Sequence, residues 1–321
     1  MSAPQLSVNH TAWPLVKNLC DDAEKYGVAV KETKSGTTLI DAGIKARGGF
    51  LAGQIITEIC LGGYGHAEIF YKQYKDLEIP SIFVYTDHPA VATLGSQFGG
   101  WHINMDNFSA IGSGPARALA LKPREIYEKI NYRDKADVTV LVLETNMEPP
   151  ENVITYISSQ CGVTSDRLFL ILVPTTTISG STQISGRIVE TGIHKLTKLG
   201  LDPKLIIHAW GYAPIAPVHP KFAEAMGRTN DAILYAGVAC YTIRYDDDEK
   251  LRELVNKASS SASKSYGKPF FEIFKEVDYD FRRIDPDLFA PAVLIVNNAA
   301  TGNTFRAGSV NLEVFRQSIG L

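Results

Sequence analysis

The chain has 321 residues, of which 45% are hydrophobic and 21% charged, and its formal net charge is −3 at pH 7. This mixture is typical of a globular protein that buries its own core. Broad nucleic-acid binding needs a surplus of Lys and Arg, so the charge balance argues against that class of function. At roughly 100–200 residues per domain, the length predicts two domains.

Neither the N-terminus nor the cysteines indicate export or a metal site. The stretch MSAPQLSVNHTAWPLV lacks the basic and then apolar regions of a signal peptide, and no apolar run reaches the ~18 residues that span a bilayer. The cysteines are far apart, which rules out a CxxC pair and is typical of a reducing compartment: Cys20, Cys60, Cys161 and Cys240. We therefore expect a cytoplasmic protein.

The first half of the chain alternates helical and extended patterns. Residues 10–27 have helical spacing that ends at a glycine, and residues 28–43 are typical of a β-hairpin with the turn KSG. The pattern then predicts, in chain order, a helix over 51–60, a buried strand over 81–87, a Gly-rich and aromatic segment of undecided type over 88–104, a helix after the GSGP turn at 112–115, and a strand over 137–144.

The second half continues this alternation. The pattern predicts, in chain order, a helix over 151–162, a strand over 167–174, a Ser- and Thr-rich loop over 175–182, a helix after Ser185, a strand over 204–210, a Pro-rich extended loop over 211–220, a long apolar and β-prone run over 230–245, a solvated helix over 246–265, and a tail over 290–315 that opens with a strand. The acidic start of the segment 246–265 suits a helix dipole.

Interleaved strands and helices predict a mixed α/β (α+β) fold, with two α/β domains whose mixed sheets enclose a cleft. The hairpin and the run at 232–245 indicate some antiparallel pairing. We expect the domains at about 1–145 and 146–321, with the boundary open and the domains not necessarily contiguous. The sequence has neither GxGxxG between a strand and a helix nor GxxxxGK[ST], so we do not predict a doubly wound nucleotide fold.

Arg187, Glu190 and His194 fall on one face of the helix predicted after Ser185, and His194 is a further candidate contact for substrate. Pattern alone favours an exposed ion pair, worth roughly 0.2–1 kcal/mol. The alternative is an active site, because the pair follows a strand and a loop, and ligands of α/β proteins bind outside the carboxyl ends of strands. The loop before it contains small and hydroxyl-bearing residues that would let a flat ligand approach, so Ser179, Ser181 and Gln183 are predicted substrate contacts.

Two further positions are candidates for an anionic part of a ligand. Ser113 lies in the GSGP turn before a predicted helix, and Arg117 lies in the first turn of that helix. Free N–H groups at such a start suit an anion, although Ser113 could equally be an ordinary helix cap. No HxH or HxxEH pattern occurs among the seven histidines, so we predict no metal, and no GxSxG motif indicates a serine hydrolase.

Several longer blocks together resemble the methenyltetrahydromethanopterin cyclohydrolase family. They occur in one collinear order along the whole chain: DHPAVATLGSQFGGWHIN, FSAIGSGPARALA, ISGSTQISGRIVETGIHKL, NDAILYAG, PFFEIFKEVDYDFRRIDPDLFAPA and TGNTFRAG. The resemblance implies hydrolysis of a cyclic amidinium, the methenyl bridge of a reduced pterin carrier, to the 5-formyl product. It also implies a place in the one-carbon metabolism of methanogenesis, no metal or redox cofactor, and a homotrimer.

The catalytic R-x-x-E pair of that family falls on Arg187 and Glu190. We expect Glu190 to act as the general base and Arg187 to keep its carboxylate ionised and oriented. Two other functions stay open: a pterin-linked oxidoreductase, which would need an electron carrier, and a non-catalytic pterin-binding protein of the same pathway. Retention of both residues argues against the second of these.

Overall fold

The computed structural model describes residues 6–280 and 283–321, and the chain folds into two compact units. The first unit contains Met1–His66 and Val91–Gly180, and the second contains Ala67–Ala90 and Ser181–Leu321. Each unit is therefore assembled from two separate stretches of the chain.

Among the described residues we count twelve strands and thirteen α-helices. The strands are β1 Ala29–Glu32, β2 Thr38–Asp41, β3 His66–Tyr74, β4 Leu77–Thr86, β5 Trp101–Met105, β6 Phe108–Ser113, β7 Thr139–Glu144, β8 Leu168–Leu172, β9 Ile206–Pro214, β10 Val238–Ile243, β11 Val293–Asn298 and β12 Thr304–Gly308. The helices are α1 Val8–Asp21, α2 Ala23–Tyr26, α3 Phe50–Cys60, α4 Pro89–Ala92, α5 Ala116–Ala120, α6 Arg124–Ile130, α7 Glu151–Cys161, α8 Ile178–Ser185, α9 Ile188–Lys198, α10 Phe222–Ala236, α11 Asp248–Asn256, α12 Phe270–Glu276 and α13 Leu312–Ile319. A π-helical turn covers Thr93–Gln97.

The first unit is built on a sheet with the strand order β1-β2-β8-β7-β6-β5. Its centre is parallel, since β2 and β7 both pair in parallel with β8, and its two edges are antiparallel hairpins. A domain boundary at residue 145, as predicted, would place β7 and its parallel neighbour β8 in different domains. The unit instead keeps both strands, because parallel neighbours need the long crossover that α7 supplies.

Strand β7 shows why this sheet is apolar on both faces. Val140 and Val142 pack into a cluster with residues of α1 and α3, whereas Leu141 and Leu143 pack into a second cluster with residues of α7. Successive side chains of a strand point to opposite faces, so a strand covered on both sides has a continuous apolar run. The strand predicted over 137–144 is confirmed for this reason.

The second unit is built on a sheet with the order β12-β11-β10-β9-β4-β3. Strands β10 and β11 are parallel, and β9 is antiparallel to both β10 and β4. Helices α10, α12 and α13 contribute to one large buried cluster, which includes Tyr235, Phe270 and Phe315. Both sheets are mixed, so the predicted mixed α/β class with two α/β domains is confirmed. The cleft between the domains stays a prediction.

The prediction of a continuous β-prone run over 230–245 was wrong in its first half. Residues 230–236 are the last two turns of α10, Gly237 ends that helix, and only Val238–Ile243 is a strand. The segment 231–236 is buried throughout, and its residues 232–236 are hydrophobic on every side of the helix. An apolar run without periodicity does not distinguish a buried helix from a buried strand.

The predicted loop over 175–182 was also partly wrong, because α8 begins at Ile178. Serine and threonine are poor helix formers, and tertiary hydrogen bonds from their hydroxyls stabilise this helix instead. No helix formed by residues 6–280 and 283–321 is long and apolar enough to cross a membrane.

Candidate active site

The predicted Arg–Glu pair lies where two short helices meet. Helix α8 ends at Ser185 and α9 begins at Ile188, so Arg187 is the N-cap residue of α9, with φ −84° and ψ 4°. Glu190 occupies the first turn of α9 and is only 6% exposed, whereas Arg187 is half-buried. A carboxylate in the first turn is stabilised by the partial positive charge of the helix N-terminus. Glu190 is therefore a buried acid at the N-terminus of α9.

Gln183 orients the guanidinium of Arg187. The Nε and Nη2 atoms of Arg187 donate to Gln183 Oε1 over 3.3 Å and 3.0 Å. The two residues are four apart, across the junction of α8 and α9, which is the spacing at which helical side chains meet. The observed partner of Gln183 is thus Arg187, and the predicted contact of Gln183 with substrate stays a prediction.

Close packing against β10 sets the position of α9. The Tyr241 hydroxyl donates to the Val189 carbonyl oxygen over 2.9 Å. Gly192 leaves room for that ring, because a β-carbon at this position would lie 2.1 Å from Tyr241 Oη. Burial raises the pKa of Tyr241 well above its ordinary value, and the negative charge of Glu190 adds to the increase. Tyr241 therefore stays a neutral donor that holds the turn carrying Glu190.

The apolar side of α9 completes this anchoring. One side of the helix is apolar and fully buried, with Ile188, Val189, Ile193 and Leu196 at helical spacing. Lys195, which is also buried, pairs with Asp287. His194 is half-buried and four residues after Glu190, so it shares the helix face of that residue, as predicted.

Two serines of α8 form hydrogen bonds to backbone carbonyl oxygens of the second unit. Ser181 Oγ donates to the Ala216 carbonyl oxygen over 2.7 Å, and Ser185 Oγ donates to the Pro214 carbonyl oxygen over 2.8 Å. These serines are four residues apart and lie on one face of α8. The hydroxyl proton of Ser181 is therefore committed to the protein, and any contact with substrate would use its oxygen as an acceptor.

Ser179 belongs to the first unit, where its hydroxyl makes two hydrogen bonds. Ser179 Oγ donates to the Ala42 carbonyl oxygen over 2.7 Å and accepts from the Gly49 backbone nitrogen over 3.0 Å. The side chain is fully buried. Its observed partners thus fix the loop over 42–49, and a contact with substrate stays a prediction.

Arg117 is a fully buried arginine of the first unit. Its Nε donates to the Lys122 carbonyl oxygen over 2.8 Å, and Nη1 donates to the carbonyl oxygens of Leu94 and Ser96 over 3.2 Å and 2.9 Å. The rings of Phe98 and Tyr127 lie 5.2 Å and 5.7 Å from its guanidinium carbon. These contacts stabilise the segment around the π-helical turn. The predicted contact of Arg117 with an anionic ligand group stays untested.

Ser113 is the last residue of β6 and is 1% exposed, with its Oγ 3.6 Å from Cys60 Sγ. It does not cap α5, whose N-cap residue is Pro115. The structure thus places Ser113, Arg117 and Ser179 in the first unit, and Ser181, Gln183, Arg187, Glu190 and His194 in the second.

Sequence reasoning missed Tyr241, which comes from β10, about 50 residues beyond Glu190. No local motif marks it. The only signal is a small residue, Gly192, inside a helical pattern, which often indicates close packing. Within the described part of the chain, no group of three or more His, Cys, Asp or Glu side chains could hold a metal ion. The four cysteines are free thiols.

Comparison with known proteins gives one consistent result. Residues 7–319 match the family model described as Cyclohydrolase (MCH). The methenyltetrahydromethanopterin cyclohydrolase of Methanocaldococcus jannaschii is 43% identical over 318 residues, which cover 98% of this chain and 98% of the relative. The enzyme of the same name from Methanothermobacter marburgensis is 43% identical over 321 residues, covering 98% of this chain and all of the relative. That from Methanocella arvoryzae is 43% identical over 316 residues, covering 98% of each.

Proposed function

The chain belongs to the cyclohydrolase family, and on that premise we propose that it hydrolyses the methenyl bridge of 5,10-methenyl-tetrahydromethanopterin to 5-formyl-tetrahydromethanopterin, reversibly. The reaction would serve the one-carbon metabolism of methanogenesis. One observation carries the assignment of the site: the family's R-x-x-E pair lies at the start of α9, with Glu190 buried in the first turn.

In the first step, water attacks the methenyl carbon, which is electrophilic because it shares a positive charge with two nitrogens. A new C–O bond forms while Glu190 takes a proton from the water. The positive charge of Arg187 and the N-terminus of α9 both favour the ionised carboxylate. The base is weakened by these neighbours, and the charge on the electrophile compensates for that weakness.

In the second step, the bond between the former methenyl carbon and the aryl nitrogen breaks. The electron pair of that bond stays on the nitrogen, which takes the proton back from Glu190. The hydroxyl proton of the intermediate is released as the formyl group forms, so one proton leaves for each water consumed. Glu190 is thus first a base and then an acid, and no step requires a metal or a redox cofactor.

Incubation of the purified protein with the methenyl substrate, with no other cofactor, tests this function through the absorbance of the methenyl group. Rapid loss of the absorbance is the expected result. Loss that occurs only when an electron carrier is added would indicate the oxidoreductase instead. Binding without any loss would indicate a non-catalytic pterin-binding protein.

We also propose that the protein is a cytoplasmic homo-oligomer, and a homotrimer is the state that the family resemblance implies. Tyr85 of β4 and Trp210 of β9 are 45% and 38% exposed, and together with Phe83 they line a groove of about 440 Å³ in the second unit. Contiguous exposed aromatic surface is typical of protein–protein contacts. Light scattering should give the mass of a trimer for the wild type and a smaller mass for Trp210→Asp. A monomeric wild type would contradict the proposal.

A further inference from the structure

In the side-chain amide of Gln183, the oxygen atom accepts hydrogen bonds, whereas the nitrogen atom has no partner among the described residues. Gln183 is 1% exposed, and its Oε1 accepts from Nε and Nη2 of Arg187. A guanidinium can only donate, so the oxygen of the amide, and not its nitrogen, must face Arg187. Nε2 is buried and has no hydrogen-bond partner among residues 6–280 and 283–321. The orientation of the amide is thus fixed, and its two N–H groups remain unused.

Holding Arg187 does not by itself require a glutamine. A glutamate would accept from the same guanidinium through a charge-assisted bond, and it would leave no buried donor. A methionine would fill a similar volume without any polar atom. A buried donor without a partner opposes folding, and each such group in a native protein calls for an explanation. Because the amide that holds Arg187 also carries Nε2, this donor lies beside the Arg–Glu pair.

We propose that Gln183 holds Arg187 through Oε1 and donates from Nε2 to the oxygen atom that water adds to the methenyl carbon. This inference rests on the proposed function. The amidinium nitrogens of the substrate share the positive charge and are poor acceptors, so they do not suit a donor. The added oxygen does suit it, because the oxygen forms its bond to carbon where Glu190 takes the proton.

A donor in this place acts mainly on the transition state. Negative charge grows on the added oxygen as its proton leaves and the carbonyl of the formyl group forms, so the hydrogen bond strengthens during the reaction. An interaction that is stronger in the transition state than in the bound substrate raises kcat and leaves KM nearly unchanged. Gln183 would therefore affect the rate more than the affinity.

Two substitutions and one control test the inference. Gln183→Glu keeps an acceptor for Arg187 and loses the donor, whereas Gln183→Met loses both. The matched control is Ser185→Ala, which removes a buried hydrogen bond from the same helix, the bond to the Pro214 carbonyl oxygen. Turnover, KM and the thermal midpoint would be measured for each variant and for the wild type.

We expect kcat to fall roughly 10- to 100-fold in both Gln183 variants, with KM within about threefold of the wild-type value. The thermal midpoint of Gln183→Glu should not fall, because the substitution removes the unpaired buried donor and keeps an acceptor for Arg187. Ser185→Ala should show the opposite result, a lower midpoint with an unchanged kcat. This contrast separates the proposed role from a merely structural one.

Three results would overturn the inference: wild-type kcat in Gln183→Glu, a rise in KM alone, or a fall in kcat no larger than that of Ser185→Ala. Should Gln183→Met fail to fold, Gln183→Glu still decides the question, since it keeps the bond to Arg187. A wild-type protein that leaves the methenyl absorbance unchanged would instead refute the proposed function, so the two failures are distinguishable.

Discussion

Replacing Gly192 by alanine should displace helix α9 and with it Glu190. A β-carbon at position 192 would lie 2.1 Å from Tyr241 Oη, 3.0 Å from Tyr241 Cζ and 3.1 Å from Pro291 Cγ. The first of these distances is about 1 Å or more below ordinary van der Waals contact. Tyr241 is fully buried and its hydroxyl is bonded to the Val189 carbonyl oxygen, so the helix has to move instead.

The displacement of α9 should lower both the stability of the protein and its rate of turnover, and the geometry gives the size of each loss. Overpacking of a well-packed core costs about 1–3 kcal/mol of unfolding free energy. Glu190 is two residues from the new methyl group, and a displacement of about 1 Å at a catalytic group lowers the rate roughly 100-fold. Gly192→Ala should therefore lose most of its turnover at temperatures where the protein remains folded.

The double variant Gly192→Ala with Tyr241→Phe provides the control for this reasoning. It removes Oη, so the shortest remaining contact is the one of 3.0 Å to the ring carbon. We expect urea unfolding to show part of the lost stability restored, and the methenyl absorbance assay to show part of the lost rate restored. Wild-type stability and rate in Gly192→Ala alone would refute the claim that this close approach positions Glu190.

Three further substitutions test the site and the core. Glu190→Gln should fold normally and lose nearly all turnover, because an amide cannot take a proton from water; near-normal turnover would exclude Glu190 as the base. Arg187→Ala should also lose most of its activity, and a loss of stability alone would favour a simple ion pair. Asp231 is fully buried, it accepts from Phe270 N and Ser318 Oγ, and burial raises its pKa to about 8. An unfolded aspartate titrates near pH 4, so between about pH 4 and 8 the folded state binds more protons, and stability falls as the pH rises. In urea unfolding, the unfolding free energy of Asp231→Asn should fall less between pH 5 and pH 8 than that of the wild type. Equal falls in the two proteins would contradict the raised pKa of Asp231.

The long apolar run over 230–245 shows where sequence patterns stop being sufficient. Its second half is the strand β10, but its first half is helix, with every residue over 231–236 buried. A helix buried on all sides loses the periodicity that would identify it. The run over 137–144 has the same apolar character, and there the strand prediction was right, because a sheet covered on both faces also produces a continuous apolar run.

The site shows the same division between local and tertiary information. Helical spacing and the family's motif predicted Arg187 and Glu190 as the catalytic pair, and the small, hydroxyl-bearing stretch before them predicted Gln183 as a substrate contact; all of these residues are close in sequence. The partners of Arg117 are carbonyl oxygens of Leu94, Ser96 and Lys122, and no motif around Arg117 indicates them. The sequence therefore predicted a ligand contact at Arg117, which stays a prediction, but it did not predict these internal hydrogen bonds.

By itself, the sequence determined the mixed α/β class and the family, and it predicted the Arg–Glu pair as the catalytic site, because these depend on local periodicity and on motifs in a fixed order. Only the tertiary structure decided that Glu190 is buried and that Tyr241 holds its turn, and it alone shows that Gln183 Nε2 has no partner among residues 6–280 and 283–321. The physical reason is that burial and hydrogen-bond satisfaction depend on groups brought together from distant parts of the chain. The spacing of residues along one segment does not specify those groups.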